Sequence, residues 1–143
     1  CVSAFLMGIN NKKAKLEFAH PLRLDSVAVD NPDVNFVMAH LGCPFFVEAA
    51  AVLYKNDNVF ADISGLWTGR GVSPRYGKFL ERGLEDVIAI VEENSFADKV
   101  MYGTDWPLAP MMPYLRFARK VIPQGIHQKV FHDNAQRVYG LKK

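Results

Sequence analysis

Three apolar runs in this chain end on side chains that can hold a proton or a metal ion. Val37-Met38-Ala39-His40-Leu41-Gly42 ends on an imidazole, and Val100-Met101-Tyr102-Gly103-Thr104-Asp105-Trp106-Pro107 ends on a carboxylate. Between them, Val59 to Ser64 ends on Asp62 and Ser64. Imidazole nitrogen and carboxylate oxygen suit zinc and related divalent ions. A catalytic zinc usually takes three protein ligands, so His40 and Asp105 alone do not define a site. Each also has a plain structural alternative. His40 can donate to a backbone carbonyl from a buried position, and Asp105 can cap the helix that follows it.

The elements that must position these residues follow from periodicity and punctuation. Short buried-type strands are expected at Val2–Leu6, Val34–Ala39, Val59–Ile63 and Lys99–Gly103. Helical spacing covers Pro21–Asn31, Pro44–Asn56, Pro74–Asn94, Met112–Val121 and about Gln124–Tyr139. Gly77 and Gly83 weaken the third helix enough to divide it in two. Phe96-Ala97-Asp98 serves as a connector, and Asp133 or Asn134 is placed to cap a new segment within the last helix. Strand and helix alternate four times, which predicts parallel strands, adjacent in chain order, with helical crossovers. An open doubly wound sheet and a (β/α) barrel both satisfy this order. In either one, ligands bind outside the carboxyl ends of the strands, where His40, Asp62, Ser64 and Asp105 fall.

Composition narrows the function classes. The chain has 143 residues, enough for one domain, with 17 basic and 15 acidic side chains and a net charge of +2. That balance gives no argument for nucleic acid or an anionic membrane as partner. No apolar run approaches the roughly 20 residues of a membrane span. No secretory signal is evident, and two cysteines, Cys1 and Cys43, make no disulfide framework. A reduced, cytoplasmic setting is the expectation. Neither a G-x-G-x-x-G nor a G-x-x-x-x-G-K-[ST] segment occurs, which removes support for a nucleotide phosphate loop.

Several segments together carry a family resemblance. Pro32 to Gly42, Asn58 to Gly65, Tyr102 to Pro107 and the closing His132 to Gly140 resemble the amidohydrolase-related family of metal-dependent TIM-barrel hydrolases, which also includes non-oxidative decarboxylases. The resemblance implies that Asp105 is an acidic metal ligand that also takes a proton from metal-bound water. It implies that His40 polarises the substrate or activates that water, and that the cofactor is a divalent metal such as zinc. His20 matches a segment near the mouth of the barrel and is a candidate for substrate contact. Trp67 and Trp106 follow strand ends and are placed to wall an apolar substrate pocket. Arg70, between two glycines, is placed to meet a substrate carboxylate.

Two departures from the family pattern matter. The His-x-His metal motif of the family's first strand is absent, and Leu6-Met7-Gly8 stands where a His-x-Gly ligand segment is usual. A complete (β/α)₈ barrel takes about 250 residues. The expected fold is therefore α/β: parallel β/α units forming the C-terminal half, strands five to eight, of a TIM barrel. Two functions fit this. One is a fragment of a metal-dependent hydrolase or decarboxylase acting on a small organic acid, lactone or cyclic amide. The other is a non-catalytic half barrel that pairs its sheet edges with another copy or with a separate N-terminal half.

Overall fold

The computed structural model describes residues 15–66, 74–91 and 93–141. A 3₁₀ turn, Leu16–Ala19, leads into α1 (Leu22–Asp30). Then come β1 (Phe36–Met38), a tight turn Ala39–Gly42, α2 (Phe46–Lys55) and β2 (Val59–Asp62). After them run α3 (Pro74–Val91), α4 (Glu93–Lys99), β3 (Val100–Met101) and α5 (Met111–Val121). The chain closes with a 3₁₀ turn (Gln124–Ile126), a π turn (Lys129–Asp133) and α6 (Asn134–Val138).

The three strands form one parallel sheet in the order β1-β2-β3, as the alternation predicts. Val37 pairs with Phe60 and Met38 with Ala61, while Ala61 pairs with Val100 and Asp62 with Met101. The expected first strand, Val2–Leu6, lies outside the described residues. Side chains alternate across the pleat. Met38, Val59, Ala61 and Val100 join the main apolar cluster with Leu53, Leu84, Val87 and Phe96 from the helices. Val37, Phe60, Asp62 and Met101 share the other face. That inner face is not bare: Phe60 and Met101 are both buried, and the cations of Lys99 and Arg137 stand 5.3 and 5.4 Å from the Phe60 ring centre. Ala39 is exposed, because the chain leaves the strand at Met38 and turns.

Where the elements depart from periodicity, the cause is local. Strand pairing stops at Met101 because the next amide, Tyr102, donates to Val130 O (2.7 Å) in the π turn instead of extending the sheet. Pairing of β1 starts at Phe36 because Val34 is still tied into the preceding turn, its amide donating to Asn31 O (3.1 Å). The Asn58 side-chain amide lies within 3.0–3.1 Å of the carbonyls of Ala28, Asn31 and Val34, fastening that turn to the start of β2. The expected connector Phe96–Asp98 is helical, since α4 buries Phe96 and Ala97 in the core. The helix from Pro74 is continuous to Val91 despite its glycines. Gly83 has a packing role there: a β-carbon at that position would come within 2.2 Å of the Phe46 ring, so the missing side chain lets α2 and α3 approach closely.

The last helical segment is fastened to β3 by a side chain that was expected to cap a helix. Asn134 is buried and caps nothing; its amide donates to Ala97 O (2.6 Å) and Val100 O (2.8 Å). Asp133 likewise makes no cap and accepts instead from Gln128 (2.9 Å). Removing a buried donor leaves its acceptors without their partner, at a cost of roughly 1–3 kcal/mol. Asn134→Ala is therefore expected to lose that much unfolding free energy, read in equilibrium urea unfolding as a lower midpoint at unchanged m-value.

Candidate active site

Because the strands are parallel, the residues that follow β1, β2 and β3 emerge at one edge of the sheet. After β1 the backbone passes through three successive left-handed residues: His40 (φ 59°), Leu41 (φ 49°) and Gly42 (φ 66°). This conformation is unfavourable for residues with a β-carbon. It turns the His40 imidazole back toward the end of β2. Asp62, the last residue of β2, holds the turn: its Oδ1 accepts from the amides of His40 (3.2 Å) and Ser64 (2.9 Å).

The imidazole itself is buried, with Nδ1 lying 2.8 Å from Ser64 O and 2.9 Å from Ser64 Oγ. A carbonyl oxygen only accepts, so Nδ1 donates to it and the neutral ring carries its lone pair on Nε2. The carbonyl bond expected of a buried structural histidine is thus present. The same bond is also the usual way of setting the tautomer of a ligand or base.

Gly65 brings the other candidate in. It too is left-handed (φ 59°), and a β-carbon built on it would lie 2.7 Å from His40 Nδ1 and Cε1 and 2.9 Å from Asp105 Oδ2. Imidazole and carboxylate therefore flank one methyl-sized volume. Asp105 is half-buried and also left-handed (φ 65°). Its carbonyl accepts from the amides of Leu108 (2.9 Å) and Ala109 (3.3 Å), closing a short turn. The capping alternative does not hold, because α5 begins at Met111 after Pro110 with no side-chain cap. Gly103 permits the approach of this segment to β2: a β-carbon there would stand 3.1 Å from Ser64 Cβ.

The remaining candidates are placed differently. His20 packs its ring on Phe45 (4.6 Å between centres) and its Nδ1 accepts from Leu22 N (3.4 Å), at the start of α1. It lines a surface groove with Pro21, Met38, Ala39 and Gly42. Trp106 adjoins Asp105, but its side chain is exposed, and its amide donates to Thr104 Oγ1 (3.2 Å). Trp67 and Arg70 lie outside the described residues, as does Leu6. Cys43 is buried, and burial pushes its thiol up to about 11, away from the thiolate form.

As a metal site, the donor chemistry of His40 and Asp105 fits a divalent ion, but the donor number does not. Among the described residues no group of three His, Cys, Asp or Glu side chains converges. Nor does any described helix have the length and apolarity to cross a membrane.

Parallel β/α units with polar groups gathered at the carboxyl edge of the sheet are the arrangement of (β/α) barrels and doubly wound sheets. A family model described as amidohydrolase matches residues 2–141, and the chain belongs to that family. Solved structures similar to it include a zinc-bound amidohydrolase from Burkholderia multivorans, with 20% identity and a TM-score of 0.64 over 85% of this chain and 49% of that one. A candidate 2-pyrone-4,6-dicarboxylic acid hydrolase from Pseudomonas putida matches at 21% identity and a TM-score of 0.59, over 86% and 48%. An amidohydrolase 2 from Bifidobacterium longum subsp. infantis matches at 20% and 0.57, over 83% and 45%. No curated protein matches significantly. The chain spans about half the length of the solved structures it resembles, and its fold is that of a half barrel.

The contact at Gly65 leads to a sharp expectation. Gly65→Ala places a methyl group where imidazole and carboxylate meet and imposes a left-handed backbone on alanine. The variant should lose about 1–2 kcal/mol of stability, read from thermal unfolding. The His40 ring resonances should shift in the folded protein, while those of His127 stay in place.

Proposed function

We propose that this chain supplies one half of a hydrolytic site, in which His40, supported by Asp105, moves protons during attack of water on the carbonyl of a small organic acid, lactone or cyclic amide. The observation that carries this is their shared contact at Gly65, at the sheet edge where barrel enzymes act. With Nδ1 engaged by Ser64, His40 presents Nε2 as the basic nitrogen. It accepts a proton from the attacking water and returns it to the leaving group. The Asp105 carboxylate, close enough to sense the ring's charge, favours the imidazolium that forms between those events. Arg70 binds a carboxylate group of the substrate, His20 makes a further substrate contact, and Trp67 and Trp106 cover its apolar part. Non-oxidative decarboxylation of a small carboxylic acid uses the same binding groups.

A divalent ion such as zinc, with a third ligand from outside the described residues, would be faced by His40 and Asp105 and would supply a polarised water. The zinc in the Burkholderia multivorans structure supports this expectation.

The second proposal concerns association. β1 and β3 are the outer strands of the described sheet, and parallel edges of this kind pair readily with further strands. The chain joins a second copy or a separate N-terminal half, which completes the barrel. Without such completion it is a non-catalytic half barrel.

Two measurements test these proposals. Supplied with zinc and assayed on lactone and cyclic amide substrates, the active assembly should lose about 10²–10⁴-fold in kcat/KM on His40→Gln or Asp105→Asn. Equal activity in the variants would remove both residues from the mechanism. In sedimentation at micromolar concentration, the chain should run above its monomer mass of 16.1 kDa. A stable folded monomer would refute self-association and leave the separate N-terminal half as the one partner.

A further inference from the structure

Tyr114 is fully buried on α5, yet its hydroxyl serves another element. The hydroxyl donates to Ile63 O and accepts from Leu66 N at 3.2 Å. Those two residues bracket Ser64 and Gly65. Ser64 provides both oxygens that meet His40 Nδ1, and Gly65 is the surface against which the imidazole and Asp105 pack. One phenol thus closes the turn on which the site geometry rests. Burial raises its pKa far above the ordinary tyrosine value, so the group stays a neutral O–H that can donate and accept at once. The rings of Phe117 and Tyr102, centred 5.7 and 6.4 Å away, pack beside it.

We propose that Tyr114 is a positioning residue for the His40 imidazole. By pinning the 63–66 turn from both sides, it holds the Ser64 carbonyl under Nδ1 and so selects the tautomer protonated at Nδ1. Free neutral histidine prefers the opposite tautomer, with the proton on Nε2, so the folded turn must supply the bias. A turn released from Tyr114 lets the Ser64 carbonyl swing away, and the ring then divides between its two neutral forms. The basic nitrogen at the tip of His40 would be present in only part of the population. The functional weight of this inference rests on His40 being the proton-handling group, but the inference itself concerns only the ring's protonation site.

The test therefore reads the ring and not turnover. In the full chain labelled with ¹⁵N-histidine, long-range ¹H–¹⁵N spectra above the histidine titration range distinguish protonated from unprotonated ring nitrogens. His40→Gln identifies the His40 signals among those of His20, His127 and His132. The native chain should show His40 protonated at Nδ1. In Tyr114→Phe the two His40 nitrogen shifts should move toward each other, with the other three histidines unmoved. Tyr102→Phe, which alters a neighbouring ring outside the turn, should leave His40 as it was. An unchanged His40 tautomer in folded Tyr114→Phe, or an Nε2-protonated ring in the native chain, overturns the proposal. Should Tyr114→Phe not fold, 3-fluorotyrosine labelling weakens the hydroxyl as acceptor and strengthens it as donor. It must then still displace the His40 nitrogen shifts, and unmoved shifts overturn the proposal equally. An inactive protein leaves this readout intact, so failure here and failure of the hydrolytic assignment are separate results.

Discussion

The Asp62 carboxylate is the tie on which the candidate site depends. A single oxygen accepts from the amide of His40, beyond the end of β1, and from that of Ser64, beyond the end of β2. Bonds from backbone amides to a carboxylate are charge-assisted and stronger than neutral ones. This one couples two loops that the sheet alone would leave separate. Once they are joined, the His40 ring can fold onto Ser64, and Gly65 can offer it a surface without a side chain. Asp105 enters from the third strand end, where Gly103 lets the backbone pass Ser64. Parallel pairing decides that these groups share an edge, and Asp62 decides how close they come.

Much of this was legible in the residues. Buried-type runs punctuated by Asn31-Pro32-Asp33 and Asn56-Asp57-Asn58 located two strands and the helices before them, and their alternation implied the parallel sheet that is observed. The polar residues at strand ends were visible because each interrupts an apolar run. What the pattern could not show was the length of pairing. That depends on distant acceptors such as Val130 O, which takes the Tyr102 amide out of the sheet. Phe96–Asp98, between a helix and a strand in the sequence, looked like a connector, although the burial of Phe96 and Ala97 makes it helical. Asn134 looked like a cap because asparagine commonly is one, while its use as a clamp on β3 depends on contacts across the fold.

Tyr114 had no sequence signal at all. A tyrosine on an amphipathic helix is ordinarily core with its hydroxyl at the boundary. Its part in the 63–66 turn arises only from how α5 lies over the end of β2. Gly83 was visible as a weak point in a helix, while Gly65 gave no sign of its neighbours. In the folded chain both are places where another group occupies the room a β-carbon would need, His40 and Asp105 in one case and Phe46 in the other.

The left-handed run at His40, Leu41 and Gly42 has an evolutionary consequence. Two of its residues carry side chains in a backbone state that costs of order 1–3 kcal/mol each, and only the surrounding packing keeps them there. Leu41, with no exposed surface, is the anchor of that packing. The loop is thus a load on the rest of the domain, and its shape survives only while the core has stability to spare. Substitutions far from the edge, in α2 or α3, draw on the same reserve. Drift in such a lineage would erode the shape of the loop before it erodes the fold, so a descendant could keep the α/β architecture and every polar residue of the rim yet lose the arrangement that makes them work together.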